Sequence, residues 1–237
     1  MKVVKTSLIA LTLMMGASLS TYAQTAEEII QKHIAAIGGM ESWKKVNSIK
    51  MNGSITAQGM EIPVSVTSVH GKGMRMDMTI MGTSNYMILT PNEGWTYFPV
   101  QQQQKPEPLT ADQVKQSQDQ LDVQGELIDY ETKGSKIAFV GKDDMEGTEV
   151  LKVRLTDKEG KEKTLFFDAA NYYLLREVEK MKADGKEIEA TVSFSNFQKL
   201  PEGIVVPMTV DSEMGPVSMK SIEVNPTVDE KIFKPSN

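Results

Sequence analysis

The chain has 237 residues, 40% of them hydrophobic, no cysteine and a formal charge of −6. That charge excludes binding to nucleic acid and adhesion to anionic lipid surfaces by electrostatics. The missing cysteines exclude disulfides, a thiol nucleophile and a lipid-modified N-terminal cysteine, so stability rests on an ordinary apolar core.

Lys2 and Lys5 precede an apolar run from Leu8 to Ala17, and Thr21-Tyr22-Ala23 follows as a small-residue cleavage signal. This is the pattern of a secretory signal peptide over residues 1–23. Ser18, Ser20 and Thr21 interrupt the run before it could cross a bilayer. Cleavage removes both lysines, moves the formal charge from −6 to −8, and leaves residues 24–237 as one soluble domain, expected in a bacterial periplasm and not lipid-anchored.

Thr25-Ala26-Glu27-Glu28 reads as a capping box, and Ile29, Ile30, Ile34 and Ile37 recur at helical spacing until Gly38-Gly39 ends the helix. A short second helix places Met40, Trp43 and Val46 on one side. The period then becomes two. Ile49, Met51, Ile55 and Ala57 alternate with polar residues; so do Met60, Ile62, Val64 and Val66, and then Met74, Met76, Met78 and Ile80. These are antiparallel strands with one apolar and one wet face. Strands near Tyr86–Leu89 and Trp95–Phe98 alternate less cleanly.

Gln101 to Pro108 is polar and proline-containing, and reads as an exposed loop. Thr110 caps a helix expected over 111–128, whose sparse stripe of Val114, Leu121 and Ile128 predicts weak docking, as for a lid. Further strands follow, with Asp184-Gly185 as a hairpin turn. Arg176 shares parity with Leu174 and Val178 and could point inward. Ile188, Ala190, Val192 and Phe194 share a face, as do Ile204, Val206, Met208 and Val210. A change of parity between Met219 and Ile222 predicts a β-bulge near Lys220-Ser221. Thr227 with Glu230 is expected to cap a last turn, with Ile232 and Phe233 tucked back as an anchor. The fold class is mainly β (α+β): a curved, incomplete antiparallel barrel of about eleven or twelve strands, with helices available to cover one face and no internal repeat.

The sequence offers little chemistry. Its two histidines, His33 and His70, have no metal-ligand spacing, and neither a nucleophile motif nor a cofactor-binding glycine loop occurs. No cofactor is expected. Asp143, Asp144 and Glu146 lack calcium-loop spacing and read as a hairpin turn. The unusual feature is methionine, 16 in all, with Met74, Met76 and Met78 forming a ridge and Met51, Met60 and Met208 on similar faces of other strands. Methionine is flexible and polarizable, so the ridge reads either as the lining of a cavity for ligands of variable shape or as core filler.

The run Val150 to Asp168, then Tyr172 to Glu177, Asn196 to Pro207, and Ile222 to Pro226 with Lys231 to Phe233, resembles the outer-membrane lipoprotein-sorting family with its LolA/LolB-like fold. Gly38-Gly39 and Trp43 to Val46 also match a common opening of such envelope proteins. The resemblance implies an incomplete barrel whose apolar concave face, covered by helices, binds acyl chains. Members carry lipoproteins across the periplasm, and relatives bind lipids or act as envelope sensors. The expected function is therefore a non-enzymatic carrier for lipoprotein acyl chains or another lipid-like ligand, exchanging with a membrane-bound donor or acceptor protein. The alternative is an envelope sensor or scaffold that contacts a membrane or protein partner. Expected ligand-binding residues are Met51, Met60, Ile62, Met74, Met76, Met78, Phe194 and Met208. An envelope hydrolase is disfavoured by the lack of a nucleophile–base set. An outer-membrane barrel is disfavoured by the Lys-Pro-Ser-Asn ending and an aromatic content of only 6%.

Overall fold

The computed structural model describes residues 24–57, 59–183, 186–213 and 215–236; the expected signal peptide and the Asp184-Gly185 turn lie outside the described residues. Helix α1 (Ala26–Ala36) begins on the expected capping box, with Thr25 accepting from the Glu28 N–H and Glu28 reaching back to the Thr25 N–H. Helix α2 is Met40–Trp43. Six strands follow: β1 (Ser48–Ala57), β2 (Met60–Val69), β3 (Gly73–Ile80), β4 (Thr83–Leu89), β5 (Gly94–Tyr97) and the two-residue β6 (Glu107–Pro108). After α3 (Ala111–Gln116) come β7 (Lys136–Met145), β8 (Thr148–Thr156), β9 (Glu162–Asp168), β10 (Leu174–Ala183), β11 (Lys186–Lys199), β12 (Val205–Asp211) and β13 (Val217–Val224).

All thirteen strands form one antiparallel sheet in the order β6-β5-β4-β3-β2-β1-β13-β12-β11-β10-β9-β8-β7, curved but not closed. The chain thus makes two meanders, and the first and last strands meet inside the sheet. Asn225 fastens that seam: its side-chain oxygen accepts from the Asn47 N–H at 2.7 Å, and its amide donates to the Lys45 carbonyl at 2.9 Å. The expected bulge is there. Asn52 pairs with Ser221 but Gly53 pairs with Met219, leaving Lys220 as the extra residue.

Directly opposed residues in an antiparallel pair share a face. Met51 is opposite Ile222 and Val66, Val66 opposite Met76, and Met76 opposite Met87. Across the seam, Ile62 opposes Ile55, Ile55 opposes Val217, Val217 opposes Val210 and Val210 opposes Phe194. This face is the concave one. Helix α1 covers one end of it, where Ile29, Ile30 and Ile34 pack with Leu151, Val153, Leu165 and Phe167. Val46 and Trp43 cover Ile204, Val206 and Met208. Val114 and Leu121 cover Met74 and Leu89.

Three expectations need correction. The 111–128 helix stops at Gln116 and continues as a 3₁₀ turn (Gln118–Leu121) and further turns. Asp119 and Asp122 accept from the Gln120 and Gln124 N–H groups, so local side-chain bonds compete with the helical ladder. Val114, Leu121 and Ile128 are buried all the same. Nor does this segment dock weakly: Gly71 N–H donates to the Leu121 carbonyl, Gln124 donates to the Lys44 and Val46 carbonyls, and Asp122 pairs with Lys133. The last turn is capped by Asp229, not Thr227. Its Phe233 does tuck back, against Tyr86 and Ile88 on the convex face. That contact explains the unclear alternation of β4, which is buried on both faces.

Gly53 has no room for a side chain, because a Cβ there would press on the Ser218 carbonyl and the Met219 backbone at the seam. Gly53→Ala should therefore force β1 and β13 apart and lower stability by about 1–3 kcal/mol in urea denaturation. An unchanged midpoint would show that the seam adapts without cost.

Candidate functional site

The concave face is not dry throughout. Between the segment 119–128 and strands β9 to β12 lies a cavity of about 370 Å³. Its apolar walls include Trp43, Leu174, Phe194, Phe197, Val205 and Pro207, and its charged lining is Asp119, Asp122, Glu126, Lys163 and Glu177. Trp43 is fixed by its indole N–H, which donates to the Ile37 carbonyl at 2.9 Å.

The eight residues expected to bind a ligand all fall on the concave face, yet they occupy different surroundings. Met74 and Met208 are buried in core clusters. Met51, Ile62, Met76 and Met78 are half-buried, and Met60 is 41% exposed beside the β1–β2 turn. Only Phe194 of the eight lines the cavity. The methionine ridge is thus partly core and partly accessible to solvent.

Arg176 faces the other way from the sequence parity. Leu174 pairs with Phe167 and Arg176 with Phe166, so Leu175 is the extra residue of a bulge. The parity flips there. Arg176 lies on the convex face with its Nε donating to the Ser193 hydroxyl, while Leu174 and Glu177 reach the cavity. Glu177 opposes Leu165 on one side and Val192 on the other, both apolar. Sequence reasoning missed this carboxylate, because the shared parity of Leu174, Arg176 and Val178 put Glu177 on the opposite face, and nothing in the composition marks the bulge that reverses it.

No protein-family model matches the sequence, and no curated protein matches it. Solved structures do. A LolA superfamily protein from Nitrosomonas europaea is 14% identical, with a TM-score of 0.56 over 90% of this chain and 98% of its own. A DUF1329 family protein from Desulfovibrio piger is 13% identical, with a TM-score of 0.58 over 90% and 98%. A putative outer membrane lipoprotein-sorting protein domain from Vibrio parahaemolyticus is 15% identical, with a TM-score of 0.50 over 87% and 94%. The chain has the LolA-like fold.

Within this LolA-like sheet the cavity holds an unusual charge arrangement. Lys163 donates to Glu126 at 3.0 Å, linking β9 to the covering segment. Burial alone would depress the lysine, but Glu126 and Glu177 outweigh it and hold its pKa above the ordinary value. Burial pushes the Glu177 carboxyl up to about 7; Lys163 opposes that shift, while Glu126, Glu179 and Asp119 add to it. His33 sits at the cavity edge with its ring 5.0 Å from that of Phe167 and Nδ1 2.8 Å from the Tyr172 carbonyl. Burial lowers its pKa to about 4, against the raising effect of that hydrogen bond. A histidine kept neutral in this way is a structural group. His70 lies at the far end of the covering segment, its Nδ1 3.5 Å from Asp122.

Buried His33 and half-buried Glu177 act on stability with opposite signs. Glu177 is raised from 4.5 to about 7, so its contribution is full below pH 4.5 and is lost as pH rises through 7. His33 is lowered from 6.5 to about 4, so its contribution is full above pH 6.5 and is lost as pH falls through 4. Between pH 4.5 and 6.5 they offset each other. Glu177→Gln should therefore stabilise the protein near pH 8 by roughly 1–3 kcal/mol, and expose a stability that climbs with pH across that window. Urea unfolding of both proteins at several pH values measures this, and a variant no more stable than the parent near pH 8 would refute it.

Proposed function

We propose that this protein is an envelope carrier or binding protein that holds the acyl chain of a lipoprotein or other lipid in the concavity of its LolA-like sheet. The observation that carries the reading is the cavity of about 370 Å³ on the concave face, walled by Trp43, Leu174, Phe194 and Phe197. This volume and mixed lining are those of small-molecule sites. Each methylene moved from water into it contributes about 0.8 kcal/mol, so six or seven contribute roughly 5 kcal/mol, a submillimolar affinity, without any covalent step. The half-buried trough of Met51, Ile62, Met76 and Met78 gives a longer chain somewhere to continue. A soft, adaptable surface of this kind accepts chains of differing length.

Export belongs to the same proposal. Residues 1–23 have the composition of a cleaved leader, and residues 24–237 act as one domain in the periplasm, receiving cargo from one membrane-bound partner and passing it to another. N-terminal sequencing of the exported protein should read Gln24-Thr25-Ala26, and retention of Met1 would sink this part of the reading.

Binding is tested with Nile red, a neutral apolar dye, together with native mass spectrometry of protein purified from its own periplasm. The parent protein should enhance dye emission and co-purify with lipid. Phe194→Lys should weaken dye binding at least tenfold while the protein stays folded, because a long side chain at a cavity wall can extend its ammonium toward water. Met74→Lys should instead unfold the protein or cost several kcal/mol, since Met74 packs among Leu89, Val114 and Leu121. A parent that binds neither dye nor lipid, or a Phe194→Lys variant that binds as the parent does, would overturn the carrier reading.

A further inference from the structure

The cavity is apolar over most of its wall, yet its charges do not balance. Of the five charged residues that line it, Asp122 is paired with Lys133 and Glu126 is hydrogen-bonded to Lys163. Lys163 is the single cation of the lining, and Glu126 already takes its short contact. Glu177 and Asp119 face the same space with only a share of that lysine, and Glu179, which directly opposes Lys163 across the β9–β10 pair, adds a further carboxylate on the concave face.

Such an arrangement is costly when empty. A carboxylate set between Leu165 and Val192 loses hydration that one shared lysine cannot replace. The same geometry selects among guests. A carboxylate or phosphate head would add a like charge to Glu177, Asp119 and Glu126, whereas a cation would complete the set. Phe194 lies on the same face one position diagonal to Glu177, through the Glu177–Val192 pair. A head group at Glu177 therefore leaves its chain against the aromatic wall.

Building on the carrier reading, we infer that this cavity takes single-chain amphiphiles with an ammonium head, seated on Glu177, and rejects those with an anionic head. Lys163, shared between Glu126, which takes its short contact, and Glu177, leaves the lining with more carboxylates than cations. Asp119, on the covering segment, reinforces the negative field from the opposite side. Burial keeps the empty Glu177 partly protonated at neutral pH, and an arriving ammonium ionises it, so uptake releases protons near pH 7.

The test compares dodecylamine, dodecanol and dodecanoate, which share one chain and differ in head, as displacers of Nile red below their micellar concentrations. Dodecylamine should displace the dye at least tenfold more tightly than dodecanol near pH 8, the ratio expected of one charge-assisted hydrogen bond. Dodecanoate should bind more weakly than dodecanol. The amine preference should shrink near pH 5.5, where Glu177 is protonated, and fall to about one in Glu177→Gln. Equal binding of amine and alcohol, tightest binding by dodecanoate, or an amine preference that survives in Glu177→Gln each overturns the inference while leaving the carrier reading in place. A folded protein that binds none of the three overturns both.

Discussion

A thirteen-stranded sheet, most of whose strands turn an apolar face to the same side, makes more apolar surface than three short helical segments can dry. This constraint shapes the molecule. Helix α1 closes one end over Leu151 and Phe167, the 111–121 region closes the other over Met74 and Leu89, and Trp43 and Val46 bridge the middle. What remains uncovered is the trough and the cavity. The candidate cavity is therefore what incomplete coverage leaves behind, with no separate domain or loop insertion creating it.

The covering segment could not be a regular amphipathic helix. A helix over 111–128 would present Val114, Leu121 and Ile128 at roughly two-turn intervals, too sparse a stripe to hold it down. Breaking it into a helix, a 3₁₀ turn and further turns lets Leu127 join Ile128 in the core under α1. The breaks also direct Gln124 to the Lys44 and Val46 carbonyls and Asp122 to Lys133. Polar anchoring here is directional, and leaves the cavity beneath unfilled in a way that a packed helix would not.

Much of the sheet was legible in the sequence because burial on one face writes period-two alternation into each strand. Where that condition fails, legibility fails. Tyr86 and Ile88 are buried under Phe233 on the convex side while Leu89 is buried on the concave side, so β4 shows apolar residues without a period. The bulge at Leu175 has no compositional mark, and it reversed the facing of Arg176 and concealed Glu177. The bulge at Lys220 was readable because apolar residues stand on both sides of it and change parity. The same logic holds for the site. The methionines revealed the concave face, but which of them are core depends on distant segments that no local pattern describes: Val114 and Leu121 bury Met74, and Val46 buries Met208.

The strand order also sets how the chain can assemble. Neighbouring strands on either side of the seam are joined by short hairpins, so each meander closes through local loops of low entropic cost. The β1–β13 seam is different: Asn225 reaches Lys45 across 180 residues of sequence. The sheet is complete only once β13 has paired with β1, although α1 and Val46 already tie the N-terminal region to the second meander. The seam thus closes the longest loop in the sheet, the pairing that costs a folding chain the most entropy and that limits how fast the two meanders can become one.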